Sequence, residues 1–271
     1  LQYAKQSFAT RRVPRDAMAR LLTLATPRAG DLLLARVAEI GQHRNLHLAC
    51  GRRSALYPDD LVIVSSGDRY APDQFKGKAL KRLGTCDLLA AGGLAGHVLE
   101  QHASMAEPTR LEPLGWIADH QGRVINLADH ALSAAAEQPR VPTIAVLGAS
   151  MNAGKTTTAA QLIHGLSRQG LRVGAAKVTG TGAMGDVNAF RDAGAHQVLD
   201  FTDAGFPSTY RLDIDTLERI FTLLTGELVR TGAEVLILEV ADGLYQPETA
   251  ALIDSGVFRQ GVDGLLLAVC D

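Results

Sequence analysis

The stretch Gly148-Ala149-Ser150-Met151-Asn152-Ala153-Gly154-Lys155-Thr156-Thr157 constrains this chain more than any other. An apolar, β-branched run, Thr143 to Leu147, leads into it, and a helical spacing of apolar residues follows from Thr157 through Leu166. A strand, a glycine-bounded loop, Gly-Lys-Thr and then a helix make the setting in which such a loop cradles phosphate. The loop's backbone N–H groups and the first turn of the helix offer donors and a positive dipole end to anionic oxygens. On this reading Ser150, Met151, Asn152, Ala153, Gly154, Lys155, Thr156 and Thr157 line the phosphates. Lys155 reaches the terminal phosphates, and the Thr156 hydroxyl holds Mg²⁺. A glycine-rich turn that merely starts a helix is the plainer alternative, and it leaves the lysine and the hydroxyl unaccounted for. In the commonest spacing the first glycine falls where Ala149 stands, so this loop is one residue longer, counted from Gly148.

The bulk of the chain sets wide bounds. Its 271 residues suffice for two domains, and 46% hydrophobic content can build a real core. A net charge of −2 gives no overall field that would draw nucleic acid or an acidic membrane, so neither is expected as a partner. Against 21 arginines there are 6 lysines, which makes the two in glycine-rich surroundings, Lys155 and Lys177, stand out. The cysteines Cys50, Cys86 and Cys270 show no metal-ligand spacing and suit a reducing compartment. No apolar run reaches the roughly 18 residues of a membrane span. Residues 1 to 9 lack the pattern of a signal peptide, so a cytoplasmic protein is expected. The first residue is not Met, which points to a processed or trimmed start.

Residues 1 to 138 read as a smaller β-rich, barrel-like or sandwich-like domain of unknown role. A short strand is expected at Gln6 to Thr10, then a helix introduced by Val13-Pro14-Arg15-Asp16 and carrying Met18, Leu21 and Leu22. Strands follow at Leu32 to Ile40, Leu46 to Ala49, Leu61 to Val64 and Cys86 to Ala90. A hairpin is expected from Leu114–Ala118 through Asp119-His120-Gln121-Gly122 into Arg123 to Leu127. His43 and His47 are four apart, yet their neighbours read as a loop entering a strand, with no third metal ligand near. Arg52-Arg53 and the Lys76 to Arg82 cluster read as solvated turns, with phosphate or partner contact as the other option. Gly92-Gly93-Leu94-Ala95-Gly96 precedes a possible helix but lacks a lysine and hydroxyl, so it reads as a tight turn.

Ala134 to Glu137 reads as a helix end, and Pro139 and Pro142 mark a linker, which puts the domain boundary near Pro139. From 139 to 271 the pattern becomes strand–helix alternation. Strands are expected at Thr143 to Leu147, Arg172 to Val178, Gln197 to Phe201, Val235 to Val240 and Gly264 to Val269. Helices are expected after the loop, from Ile214 to about Thr231, and from Pro247 to Asp254. Near-continuous apolar strands between amphipathic helices mean an α/β, parallel sheet covered on both faces. Ligands of such sheets bind beyond the carboxyl ends of the strands, where the loop, Lys177 and Glu239 all fall.

Lys177 ends the second strand. It could meet a substrate carboxylate or transferred phosphoryl oxygens, or simply snorkel from a strand end. Asp186 caps a short helix, supplies a carboxylate to Mg²⁺, or both. Glu239 follows four apolar residues, and a carboxylate there is costly unless a cation or hydrogen bonds pair it. Asp242 sits on the loop just after it, and Asp200 and Asp203 flank a turn that could line the substrate side.

The long loop with its Gly-Lys-Thr resembles the dethiobiotin synthetase-like (SIMIBI) branch of P-loop NTPases. Ala176-Lys177-Val178-x-Gly180-x-Gly182 is similar to the Lys-Pro-Val-x-x-Gly stretch of dethiobiotin synthetases, and Leu238-Glu239-Val240-Ala241-Asp242-Gly243-Leu244 to their Val-Glu-Gly-Ala-Gly-Gly stretch. The resemblance covers roughly Thr143 to Asp271. It implies phosphate binding through Lys155, Mg²⁺ at Thr156 and Glu239 with Asp186 as third oxygen ligand, and a catalytic or substrate-orienting Lys177. Lys155, Lys177 and Glu239 are thus the expected catalytic residues. Val240 and Asp242 replace glycines, so the loop after Glu239 departs from the dethiobiotin pattern. The signature lysine of MinD/ParA-type ATPases is absent from Ala149 and Ser150. This branch continues past the strand at Gly264 to Val269, so either the chain is a fragment or the base is held differently.

The leading expectation is an ATP- and Mg²⁺-dependent enzyme on a small molecule, by phosphoryl transfer or carboxylate activation. A nucleotide-driven switch or assembly ATPase, with the first domain docking a protein partner, is the alternative, and a non-hydrolysing nucleotide-binding module is a third. A homo-oligomer, first of all a dimer, is the expected assembly. Neither ATP versus GTP nor the acceptor is readable.

Overall fold

The computed structural model describes residues 1–133 and 138–269. The helix end expected at Ala134 to Glu137, and Cys270, lie outside the described residues. The chain forms two compact units. One comprises Leu1–Ala131 with Thr181–Met184 and Gly205–Tyr210; the other comprises Leu132–Gly180, Gly185–Ala204 and Arg211–Asp271. The boundary expected near Pro139 falls a few residues further along than the division at Ala131 and Leu132.

In the first unit, short apolar runs punctuated by turns give strands β1 (Lys5–Gln6), β2 (Arg20–Leu22), β3 (Leu32–Glu39), β4 (Asn45–His47), β5 (Arg53–Ala55) and β6 (Leu61–Ser66). They continue with β7 (Arg69–Tyr70), β8 (Phe75–Lys78), β9 (Cys86–Ala90), β10 (Leu94–Gln101) and β11 (Thr109–Ala118). Nine of them make one mixed sheet, in which β6 pairs with β3, β3 with β11, β11 with β9, β9 with β10, and β10 back with β6. The β1–β6 and β6–β10 pairs are parallel. Because side chains alternate along a strand, β3 feeds two clusters. Leu33, Ala35 and Val37 pack with Val62, Val64, Leu111 and Trp116, while Leu32 and Leu34 pack with Ile63, Ile117 and Ile125.

The structure corrects the N-terminal expectations. Phe8–Thr10 is a buried 3₁₀ turn instead of strand. The expected helix through Met18 and Leu22 is a 3₁₀ turn at Arg15–Ala17 followed by β2, with Leu21 and Leu22 in register with Ile117 and Trp116. Their spacing fits a helix, but pairing to a distant strand outweighs so weak a local preference. The hairpin after Ala118 shrinks to a single Ala118–Val124 bridge, and Leu127–His130 is a 3₁₀ turn capped by Asn126. Gly92 and Gly93 lie in a turn that leads into β10, so no helix follows them.

His43 sits at the rim of this core, edge-on to Phe75, with its Nε2 3.0 Å from the Leu89 carbonyl. Burial, then the Arg69 guanidinium, pushes its pKa down to about 4. Between pH 6.5 and 4 the unfolded chain therefore binds a proton that the folded unit refuses. Stability should fall as pH drops through that window, by about 1–3 kcal/mol. Urea unfolding of the wild type and a His43→Gln variant at pH 7.5 and 4.5 checks this: the variant should lose that part of the pH dependence, and equal slopes would contradict it.

The second unit follows its sequence pattern closely. Its elements are β12 (Thr143–Gly148), α1 (Lys155–Arg168), β13 (Val173–Lys177), α2 (Met184–Asp192), β14 (Gln197–Asp200) and α3 (Ile214–Arg230). β15 (Val235–Glu239), α4 (Pro247–Asp254), α5 (Gly256–Gly261) and β16 (Gly264–Ala268) complete it. The sheet runs β14-β13-β15-β12-β16 with every neighbouring pair parallel. Helix α3 buries Leu217, Ile220, Phe221, Leu224 and Leu228, and Asp213 caps its start by accepting from the Thr216 N–H. β15 is buried from end to end. The edge differs from expectation, since Leu265, Leu266 and Leu267 of β16 are exposed. Among the described residues no helix is long and apolar enough to cross a membrane.

Candidate functional site

The chain leaves β12 and turns through Gly148 to Gly154 into α1. Asn152 and Gly154 adopt left-handed backbone, at φ 62° and 94°, which lets the loop double back above the helix start. Gly148 serves a second need. A Cβ there would lie 2.8 Å from the Lys155 side chain, which passes directly over it. Lys155 is 6% exposed and donates to the carbonyls of Ser150, at 2.8 Å, and of Asp242. Burial lowers its pKa, against the pull of Glu239 and Asp242.

Strand register brings the other groups alongside. Glu239 is in register with Val146 on one side and Lys177 on the other, and Lys177 in turn with Asp200. Lys177 and Glu239 therefore leave the same face at the same level of the sheet. The Lys177 ammonium is 3.7 Å from Glu239 Oε1 and in direct contact with Asp186 Oδ2. The Thr156 hydroxyl, in the first turn of α1, donates to Asp186 Oδ1 at 2.9 Å. Burial resists charge on Lys177, yet Glu239 and Asp186 overcome it and raise its pKa. Burial alone would push Asp186 up, but Lys177 and the Thr156 hydroxyl hold it below the usual carboxylate range. Burial dominates at Glu239 and raises its pKa. Glu239 is 2% exposed, and its Oε2 is buried without a hydrogen-bond partner.

Of the residues picked out in the sequence, the structure gathers Lys155, Thr156, Lys177, Asp186, Glu239 and the Asp242 carbonyl. Ser150, Asn152, Gly154 and Thr157 are exposed on the loop and helix start, Met151 is half-buried and Ala153 buried. Asp200 and Asp203 serve their own turn: Asp200 accepts from the Thr202 N–H, and Asp203 from the Asp200 N–H. Three further residues lie at or near the loop with no motif in the sequence to mark them. Thr179 and Thr249 both donate to the Ala241 carbonyl and so brace the loop after Glu239. Glu248 accepts from the Arg211 N–H, and its Oε2 is buried without a partner. Thr179 falls at an unspecified position of the stretch Ala176 to Gly182.

The donors suit a hard divalent cation: a hydroxyl and two carboxylates, one with a buried oxygen that lacks a partner. Among the described residues no group of three or more His, Cys, Asp or Glu could hold a metal ion by itself. A cation here would thus depend on Thr156 and on phosphate or water oxygens as well, as Mg²⁺ usually does.

A parallel sheet whose inner strand β12 runs through this loop into a helix, with the lysine, hydroxyl and acidic groups at the sheet's carboxyl end, is a P-loop α/β fold. The sequence matches no protein-family model, and no curated protein matches it. Among solved structures, the chain is similar to the signal recognition particle 54 kDa protein of Aeropyrum pernix K1 in complex with GDP. That likeness has 23% identity and a TM-score of 0.34 over 48% of this chain and 29% of the other. The signal recognition particle receptor FtsY of Elizabethkingia anophelis in complex with GDP is similar at 18% identity and TM-score 0.36, over 52% and 43%. The C-terminal Sua5 domain of a Pyrococcus horikoshii protein is similar at 16% identity and TM-score 0.31, over 48% and 99%. The chain thus spans less than half the length of the first two. Likenesses this distant bear on neither substrate nor activity.

Proposed function

We propose that the second unit binds and hydrolyses a nucleoside triphosphate with Mg²⁺, and that nucleotide state is carried out of the site by α2, as in a nucleotide-driven switch. One observation carries this reading: Asp186, in the first turn of α2, is held by both Thr156 and Lys177. A metal held by Thr156 and Asp186 would take the Asp186 carboxylate that the Lys177 ammonium now occupies, so loading the site would change what holds α2. Thr156, Asp186 and Glu239 would hold the Mg²⁺, which offsets phosphate charge when bound. The loop amides orient the phosphate tail, and Lys155 turns from its two carbonyls toward anionic oxygens. Lys155 and Lys177 supply positive charge in a poorly solvated site, where it acts most strongly on a developing anion. Water attacks the γ-phosphorus, the bond to the β–γ bridging oxygen breaks, and nucleoside diphosphate and phosphate leave. ATP is the first nucleotide to try and GTP the second.

A second reading, phosphorylation or carboxylate activation of a small molecule, is favoured by Lys177, an ammonium at the strand end beside the reacting centre. Hydrogen exchange of residues 184–192, without nucleotide, with diphosphate and with a non-hydrolysable triphosphate, separates the two. The switch predicts severalfold faster or slower exchange in the triphosphate state. Identical exchange in all three states, with turnover raised severalfold by a carboxylate- or hydroxyl-bearing metabolite, favours the second.

A further inference from the structure

We propose that Lys177 is a resident cation of the metal site. In the nucleotide-free protein its ammonium occupies the Asp186 and Glu239 carboxylates that a divalent cation would take, and loading of metal and nucleotide expels it. The inference rests on the nucleotide-binding reading above and adds an order of events to it. Lys177 becomes a free positive group at the reaction centre only once the metal and triphosphate are seated.

Three features support the exchange. The ammonium touches Asp186 Oδ2 and lies 3.7 Å from Glu239 Oε1, so one monovalent charge bridges both carboxylates. The site is closed, with the Lys177 and Glu239 side chains 12% and 2% exposed. A divalent ion and an ammonium on the same pair would stand a few ångströms apart with little water to screen them. The third is Gly180, at φ +130°, whose missing Cβ would sit 3.0 Å from Lys177 Cε. No L side chain readily takes that backbone conformation, and one at position 180 would press on the lysine stem, so glycine there keeps the stem unobstructed on that side.

The test has two arms. Mn²⁺ binding without nucleotide, read from the free-ion electron paramagnetic resonance signal, compares the wild type with Lys177→Met and Lys177→Gln. Removing the ammonium should tighten Mn²⁺ binding by 10-fold or more, and Asp186→Asn added to Lys177→Met should cancel the gain. Equal affinities in wild type and both variants would overturn the proposal. The wild-type arm does not depend on variants that fold. Carbodiimide coupling should form a Lys177–Asp186 amide in the free protein, found by mass spectrometry, and Mg²⁺ with a non-hydrolysable triphosphate should reduce it severalfold. A persistent amide while a fluorescent triphosphate is bound overturns the inference alone. Failure to bind the triphosphate overturns the nucleotide reading along with it.

Discussion

Lys155→Ala is expected to weaken triphosphate binding, and any turnover that depends on it, by about 10²–10³-fold, the cost of removing one preorganised charged donor from a poorly solvated site. Lys155 is buried with its stem over Gly148, so the stem is set in place before phosphate arrives and the ammonium has only to turn from its two carbonyls. The variant should keep its fold, because among the described residues the lysine makes no ion pair within about 4 Å and alanine is a good helix former. Fluorescent-nucleotide titration with Mg²⁺, alongside circular dichroism, measures both. A folded variant that binds as tightly as the wild type would remove the loop from the account.

Glu239→Gln separates chemistry from scaffold. The substitution keeps volume and hydrogen-bonding shape while removing a buried charge that lies 3.7 Å from Lys177. Burial opposes that charge, but Glu239 also compensates the buried Lys177 ammonium, so thermal stability should fall, with Asp186 limiting the loss. Triphosphate turnover should fall by about 10²-fold or more, since a metal-directed carboxylate is lost where charge develops, while nucleotide affinity stays within severalfold. Single-turnover hydrolysis with saturating Mg²⁺ is the measurement. Full activity would make Glu239 a structural residue and point to hydrolysis by another route. Binding without turnover in the wild type itself would favour a module that only holds nucleotide.

The second unit was legible because its signals are local. Strands such as Val235 to Glu239 are apolar throughout, α3 repeats its apolar residues at three and four, and the glycine–lysine–threonine loop sits between a strand and a helix. Short α5, opened by the Ser255 cap, escaped notice because six residues carry too little periodicity. The first unit was legible only as strand-rich. Its register depends on pairings such as β2 with β11 and β1 with β6, far apart in sequence, and its shortest strands are two residues long. Residues of that kind take their structure from partners that no local pattern names.

At the site, the sequence placed Lys177 and Glu239 at strand ends but could not put them side by side. That follows from the sheet order, in which β15 lies between β12 and β13. It also offered capping or metal binding for Asp186. The structure shows a third engagement, in which the carboxylate joins Thr156 to Lys177. Ion pairing across elements leaves no trace in spacing.

The most direct measurement is a structure of the protein with Mg²⁺ and a non-hydrolysable nucleoside triphosphate. The account predicts β- and γ-phosphate oxygens on the main-chain amides between Ser150 and Thr156, metal beside the Thr156 hydroxyl, and Asp186 parted from the Lys177 ammonium. Phosphates bound elsewhere, or a bound triphosphate with the Lys177–Asp186 contact unchanged, would contradict it.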